Sequence, residues 1–213
     1  MRLIGMLDSP YVRRVAISLQ LLGLRFEHRP VSVFREFDEF RAINPVVKAP
    51  TLVCDDGTVL MDSSVILEYA QARAGRSLMP RELPDLQADL RIIALGLAAC
   101  DKSVQMIYER ALRPPEKQHE PWLARVTGQL QAALTGLESA IDRRPRPGRA
   151  VDMAQAGVTA AITWHFIQQM LPQIVPAAQC PALSAFSCAA EALAPFKAAA
   201  HGAGVCVPAI DAA

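Results

Sequence analysis

Thr51-Leu52-Val53-Cys54 and Thr58-Val59-Leu60-Met61, joined by a turn at Asp55-Asp56-Gly57, form the hairpin signal that most constrains this chain. Two β-prone runs flank turn residues that tolerate the backbone such a reversal needs. Arg2 to Met6 is short and apolar and suits a buried strand. Ser9-Pro10 reads as a helix start, with serine at the N-cap and proline at the first helical position. Val12, Val15, Ala16, Leu19 and Leu22 supply the stripe of that helix, and Gly23 stops it. Phe26 to Val33 alternates as a second strand, and Pro30 inside it argues for a sheet edge. Glu36 to Ile43 forms a short helix before Asn44-Pro45, and Asp62 or Ser63 caps a helix through Ile66, Leu67, Tyr69 and Ala70. The order β-α-β-α-β-β-α fits one compact domain ending near residue 74.

Ala74 to Pro84, with Gly75, Pro80 and Pro84, reads as a linker. Everything beyond it has helical character. Asp85 to about Leu112 is rich in alanine and leucine and stops at Pro114-Pro115; Gln118 to Arg144 stops at Pro145-Arg146-Pro147-Gly148. Asp152 is expected to cap a third helix running to Met170, with Gln155 completing a capping box. The near-total apolarity of that helix marks it as the buried centre of a bundle. A weaker helix spans Pro181 to about Leu193, and the last dozen residues are expected to be loosely ordered. The expected division is therefore an α/β domain over 1–75 and an all-helical domain over 85–213.

Composition excludes several classes. Apolar residues make up 52% of the 213 and charged ones 20%, too apolar for disorder. A net charge of +1 and the lack of a basic stripe with interleaved aromatics exclude nucleic acid and an anionic membrane as partners. Cys54, Cys100, Cys180, Cys188 and Cys206 show no C-x-x-C pair and no metal-ligand spacing, so free thiols in a reducing, cytoplasmic compartment are expected and no metal. Arg13-Arg14 precedes the apolar stretch Val15 to Leu24, but Ser18, Gln20 and Gly23 interrupt it, which suits an amphipathic helix better than an export signal. No apolar run is long enough to span a bilayer.

Three places carry possible chemistry, each set beside a plainer structural use. Ser9 at a helix N-cap projects a hydroxyl toward unsatisfied N–H groups, a good place to hold a thiolate; serine N-caps are also common as caps alone. In Asn44-Pro45-Val46-Val47-Lys48-Ala49-Pro50, a cis proline at the mouth of a strand leaves the Ala49 backbone open to an extended peptide ligand, whereas base rates favour an ordinary trans proline. Asp62-Ser63 offers a carboxylate and a capping hydroxyl, able to take the ammonium and carboxylate of an amino-acid head group, or simply to cap a helix. His165, Trp164, Phe166 and Cys54 read as core residues.

Together, S-P-Y-V-R-R-V after strand one, N-P-x-x-K-A-P before strand three and L-M-D-S-S-V-I-L-E-Y into the third helix resemble the three signatures of the glutathione transferase N-terminal domain. The S-P-[FY]-V form is similar to serine-type transferases, notably the plant tau class and bacterial relatives. The resemblance implies a thioredoxin-like first domain and a helical second one. It further implies that Ser9 contacts the glutathione sulfur and that Pro50 is cis. Ala49 would pair with the cysteinyl backbone, Asp62 and Ser63 would hold the γ-glutamyl head, and Lys48 or Arg35 would meet the glycyl carboxylate. An acceptor pocket of Tyr11, Gln105, Met106 and Tyr108 and a homodimer are implied on the same ground.

Two departures matter. Where the family reads S/T-x-A-D, this chain has Asp152-Met153-Ala154-Gln155; and Ser9 and Val12 stand where thioredoxins carry cysteines, which removes dithiol exchange. The expected activity is conjugation of the glutathione thiolate to a small hydrophobic electrophile. A glutathione-binding interaction or stress-response protein with weak or no turnover stays open, as does isomerisation or dehalogenation.

Overall fold

The computed structural model describes residues 1–208. The chain order is β1 (Arg2–Ile4), α1 (Pro10–Leu21), β2 (Glu27–Arg29), α2 (Phe37–Ile43), β3 (Thr51–Val53), β4 (Val59–Met61), α3 (Ser63–Ala74), α4 (Leu83–Leu112), α5 (Glu120–Ile141), α6 (Gln155–Met170), α7 (Pro181–Glu191) and α8 (Ala194–Ala198). The first seven elements follow the expected order β-α-β-α-β-β-α. The short α8 has no counterpart in the sequence reading.

The sheet order is β2-β1-β3-β4, with β1 parallel to β2 and the other two pairings antiparallel. Leu3 sits opposite His28 on one side and Leu52 on the other. β2 is an edge strand, as Pro30 requires, and it stops there because proline has no N–H to donate. Ile4, Val31, Phe40 and Val53 form a buried cluster that seats α2 against the sheet. α1 packs on β1 and on α3. α3 ends at Gly75, whose left-handed φ of 62° closes the helix without a Cβ clash.

Two compact units emerge. One takes Met1–Met79, Gly148–Ala154 and the described chain from Glu191; the other takes Pro80–Pro147 and Gln155–Ala190. The placement of the last described residues differs from the expected division, and the reason is two long-range anchors inside the first unit. Arg13, 1% exposed, forks onto Glu191 at 2.7 and 2.5 Å, donates to the Ala199 carbonyl at 2.7 Å and lies over the Phe196 ring. His28 accepts the Cys206 N–H at Nδ1 (2.9 Å), so its Nε2 carries the proton and donates to the Gly5 carbonyl at 2.8 Å. The loose order expected of the last dozen residues therefore fails at Cys206, which is buried; residues 209–213 of that stretch lie outside the described residues.

In the helical unit, α6 is buried along nearly its whole length. Ile162 and Ile167 alone contribute about 1.5–3 kcal/mol each by burial. α4 comes so close that a Cβ at Gly96 would stand 3.0 Å from the Thr159 methyl, and Thr163 donates to the Gly96 carbonyl. Asp152 does not cap α6. Both its carboxylate oxygens are held by Arg149 at 3.0 and 2.9 Å, it closes a single 3-10 turn, and the helix begins at Gln155. The α7 N-terminus is capped instead by Glu138 of α5, which accepts from the Ala182 and Leu183 N–H groups at 2.7 and 2.8 Å. No helix among the described residues is long and apolar enough to cross a membrane.

Candidate functional site

α3 opens on Asp62, whose φ of 72° and ψ of 127° lie outside the regions open to ordinary residues. Its Oδ1 accepts the Ser64 N–H at 2.9 Å, and its Oδ2 pairs with the Lys48 ammonium at 3.1 Å. Burial pushes the Asp62 carboxyl up, but the Ser64 N–H, the Lys48 ammonium and the Arg14 charge outweigh it and hold the pKa below the ordinary value. Behind this turn Arg14, 2% exposed, donates to the Ser63 hydroxyl at 3.0 Å and the Ser64 hydroxyl at 3.2 Å.

The loop facing Asp62 is equally fixed. Asn44 folds it by accepting the Val46 N–H at Oδ1 and donating to the Thr51 hydroxyl, which in turn donates to the Lys48 carbonyl at 2.8 Å. Val47 carries a φ of 52°, rare for a β-branched residue. Val47 and Asp62 are the only non-glycine residues with positive φ among the described residues; Asp62 is one member of the Lys48–Asp62 ion pair, and Val47 adjoins the other. Strain of this kind concentrates at sites where geometry is over-determined. The Ala49–Pro50 bond is cis, and neither the amide nor the carbonyl of Ala49 has a hydrogen-bond partner among the described residues.

Ser9 caps α1: its oxygen accepts the Val12 N–H at 3.4 Å, and its φ and ψ are extended. The proton of that hydroxyl meets no acceptor among the described residues. Beneath it Gly5 carries a φ of 135°, and a Cβ there would stand 2.6 Å from Val12. Lys48, Asp62, Ser63 and Ser64 thus join in one bonded cluster. Arg35 does not join it; this largely exposed residue pairs with the neighbouring Glu36 at 3.8 Å. Tyr11 lies on α1 in the first unit, and Gln105, Met106 and Tyr108 lie on α4 in the second. Met106 is buried and lines a cavity of about 790 Å³ between α4, α5 and the end of α6, with Ile107, Leu123, Thr127 and Leu171; Gln105 and Tyr108 do not line it.

Residues 3–78 match the glutathione S-transferase N-terminal domain family. The glutathione S-transferase of Methylobacterium radiotolerans, solved in complex with glutathione sulfonate, aligns with a TM-score of 0.83 at 26% identity over 92% of each chain. The uncharacterized GST-like protein YibF of Escherichia coli is 26% identical over 81% of this chain and 85% of its own length. Residues 3–78 belong to the glutathione S-transferase N-terminal domain family. The maleylacetoacetate isomerase of Pseudomonas aeruginosa is 31% identical to this chain over 134 residues, 58% of this chain and 63% of the isomerase.

Two features of the site escaped the sequence reading. Arg14 was visible as a charge interrupting the apolar stripe of α1, which is itself a sign of a buried partner. The left-handed Val47 gave no signal, because valine disfavours that conformation and only the loop around it imposes it.

Proposed function

We propose that this chain binds glutathione in its first unit and lowers the pKa of the bound thiol at Ser9, so that the thiolate attacks a small hydrophobic electrophile. The observation that carries the reading is the Ser9 hydroxyl: its oxygen is fixed by the Val12 amide while its proton is free to be donated. A free cysteine thiol has a pKa of about 8.5 and is mostly protonated at neutral pH. A hydroxyl donor at the positive end of α1 stabilises the charged sulfur over the neutral one. In conjugation the sulfur forms a bond to carbon, the leaving group departs with its electron pair, and the thiol proton passes to solvent. Ala49 then pairs with the cysteinyl backbone of glutathione, Asp62 takes the γ-glutamyl ammonium, Ser63 the adjacent carboxylate, and Lys48 the glycyl carboxylate. Arg35 stands aside in this reading, because its guanidinium already pairs with Glu36.

The test is the ultraviolet absorbance of bound glutathione thiolate titrated against pH. Wild type is expected to show a pKa below that of free glutathione, and Ser9→Ala a raised one with turnover lost in parallel. An unchanged pKa in folded Ser9→Ala reduces Ser9 to a helix cap; a wild-type value no lower than that of free glutathione favours a binding protein without turnover.

A second reading, glutathione-dependent isomerisation, is favoured by the 31% identity to a maleylacetoacetate isomerase. There the thiolate adds to a conjugated carbon and leaves again, so glutathione is not consumed. Counting glutathione lost per product formed separates the two. We further propose a cytoplasmic homodimer, supported by five cysteines that are all free and by exposed Val65 and Leu90 on α3 and α4. Sedimentation at micromolar concentration tests the assembly.

A further inference from the structure

The buried Arg14 guanidinium behind the Ser63 hydroxyl commits that oxygen to accepting on one side. The Arg14 guanidinium has donors and no acceptor, so Ser63 and Ser64 must each accept along their bonds from Nη1. Each hydroxyl keeps one proton to give. Ser63 is 3% exposed, and no group among the described residues accepts from it. The same guanidinium contributes to keeping neighbouring Asp62 ionised. One buried cation therefore leaves α3 with a hydrogen-bond donor at Ser63 beside an acceptor at Asp62.

We propose that Arg14 is the positioning residue that makes this turn selective for a carboxylate next to an ammonium, by holding the Ser63 hydroxyl as an outward donor. The inference rests on the glutathione reading above, and the ligand group concerned is the α-carboxylate of the γ-glutamyl head. Without Arg14 the Ser63 hydroxyl is free to rotate, and the turn loses the charge that distinguishes a carboxylate from a neutral amide.

Calorimetry with two peptides tests this: glutathione, and 4-aminobutanoyl-cysteinylglycine, which lacks only the α-carboxylate. Wild type is expected to prefer glutathione by at least about tenfold, the usual effect of a hydrogen bond to a charged group. Arg14→Gln is expected to erase most of that preference while holding affinity for the truncated peptide within about twofold. A merely structural role weakens both peptides alike, and that result, or a preference that survives in folded Arg14→Gln, overturns the proposal. If Arg14→Gln does not fold, Arg14→Lys decides: the retained charge should preserve the preference, and its loss there overturns the proposal. A wild type that binds both peptides equally overturns the role of Arg14 and leaves glutathione binding standing. A wild type that binds neither removes the glutathione reading and this inference with it.

Discussion

The Lys48 ammonium lies 3.1 Å from the Asp62 carboxylate, and each side chain is about half exposed. An ion pair in that much water contributes roughly 0–1 kcal/mol to stability. It is therefore an easily exchanged contact: in the proposed glutathione reading, the ligand ammonium replaces Lys48 at Asp62 and releases the lysine toward the glycyl carboxylate. Asp62→Ala is expected to weaken glutathione binding by more than about tenfold with the fold intact. Lys48→Ala is expected to shift the denaturation free energy by less than about 1 kcal/mol. Calorimetry and urea titration read the two effects; unchanged affinity in Asp62→Ala removes that residue from the site.

Val47 supplies a stability test with an inverted order. Glycine is ordinarily less stable than alanine by roughly 0.5–1 kcal/mol within regular structure. At a φ of 52° a Cβ is itself the problem, so Val47→Gly should be more stable than Val47→Ala by about 1 kcal/mol. Both lose the contacts that Val47 makes with the Ile4, Val31, Phe40 and Val53 cluster, which cancels packing from the comparison. Equal midpoints in urea would show that the loop relaxes and that the conformation is not imposed.

His28 predicts an acid-sensitive contact at Cys206. Burial pushes its pKa below the ordinary 6.5, only partly offset by the Gly5 carbonyl. In the window between that lowered value and 6.5 the unfolded chain binds more protons than the folded one, so stability is whole above 6.5 and declines as pH falls through the window. Protonation also removes the acceptor that holds the Cys206 N–H. Hydrogen exchange at Cys206 is expected to accelerate below about pH 6.5 in wild type, after correction for intrinsic rates. His28→Gln should flatten that limb. His201, whose pKa burial also lowers, remains in the variant and serves as the internal control.

Glu191→Gln leaves the buried Arg13 guanidinium without its bidentate carboxylate. Removing one partner of a buried pair typically costs about 3–5 kcal/mol, and the partial exposure of Glu191 argues for the lower end. A loss near 3 kcal/mol in urea denaturation is expected. A loss below about 1 kcal/mol would mean that the Ala199 and Phe196 carbonyls suffice to hold Arg13.

The parts legible in the sequence were those written in neighbouring residues. Ser9-Pro10 opens α1, Asp62 caps α3, Pro30 puts β2 at the edge, and the Asp55-Asp56-Gly57 turn joins β3 to β4, because caps, prolines and tight turns act within a few positions. Asp152 misled for the same reason: its spacing to Gln155 met the local rule, while Arg149 took its carboxylate. The Glu138 cap of α7 bridges 44 positions and the Arg13–Glu191 pair 178, distances at which no local pattern exists. The candidate site divides likewise. Lys48, Asp62 and Ser63 lie in short recognisable strings, whereas the contribution of Arg14 depends on how α1 packs against α3.

The return of the described chain from Glu191 to the unit begun at Met1 inverts the order of birth and completion. A ribosome releases the sheet first, yet Arg13 and His28 wait for Glu191, Ala199 and Cys206, made more than 170 positions later. Until then α1 carries a buried-type guanidinium with no carboxylate, and the nascent first unit is a debtor to residues not yet translated. The unit that comes out of the tunnel first is the last to be finished.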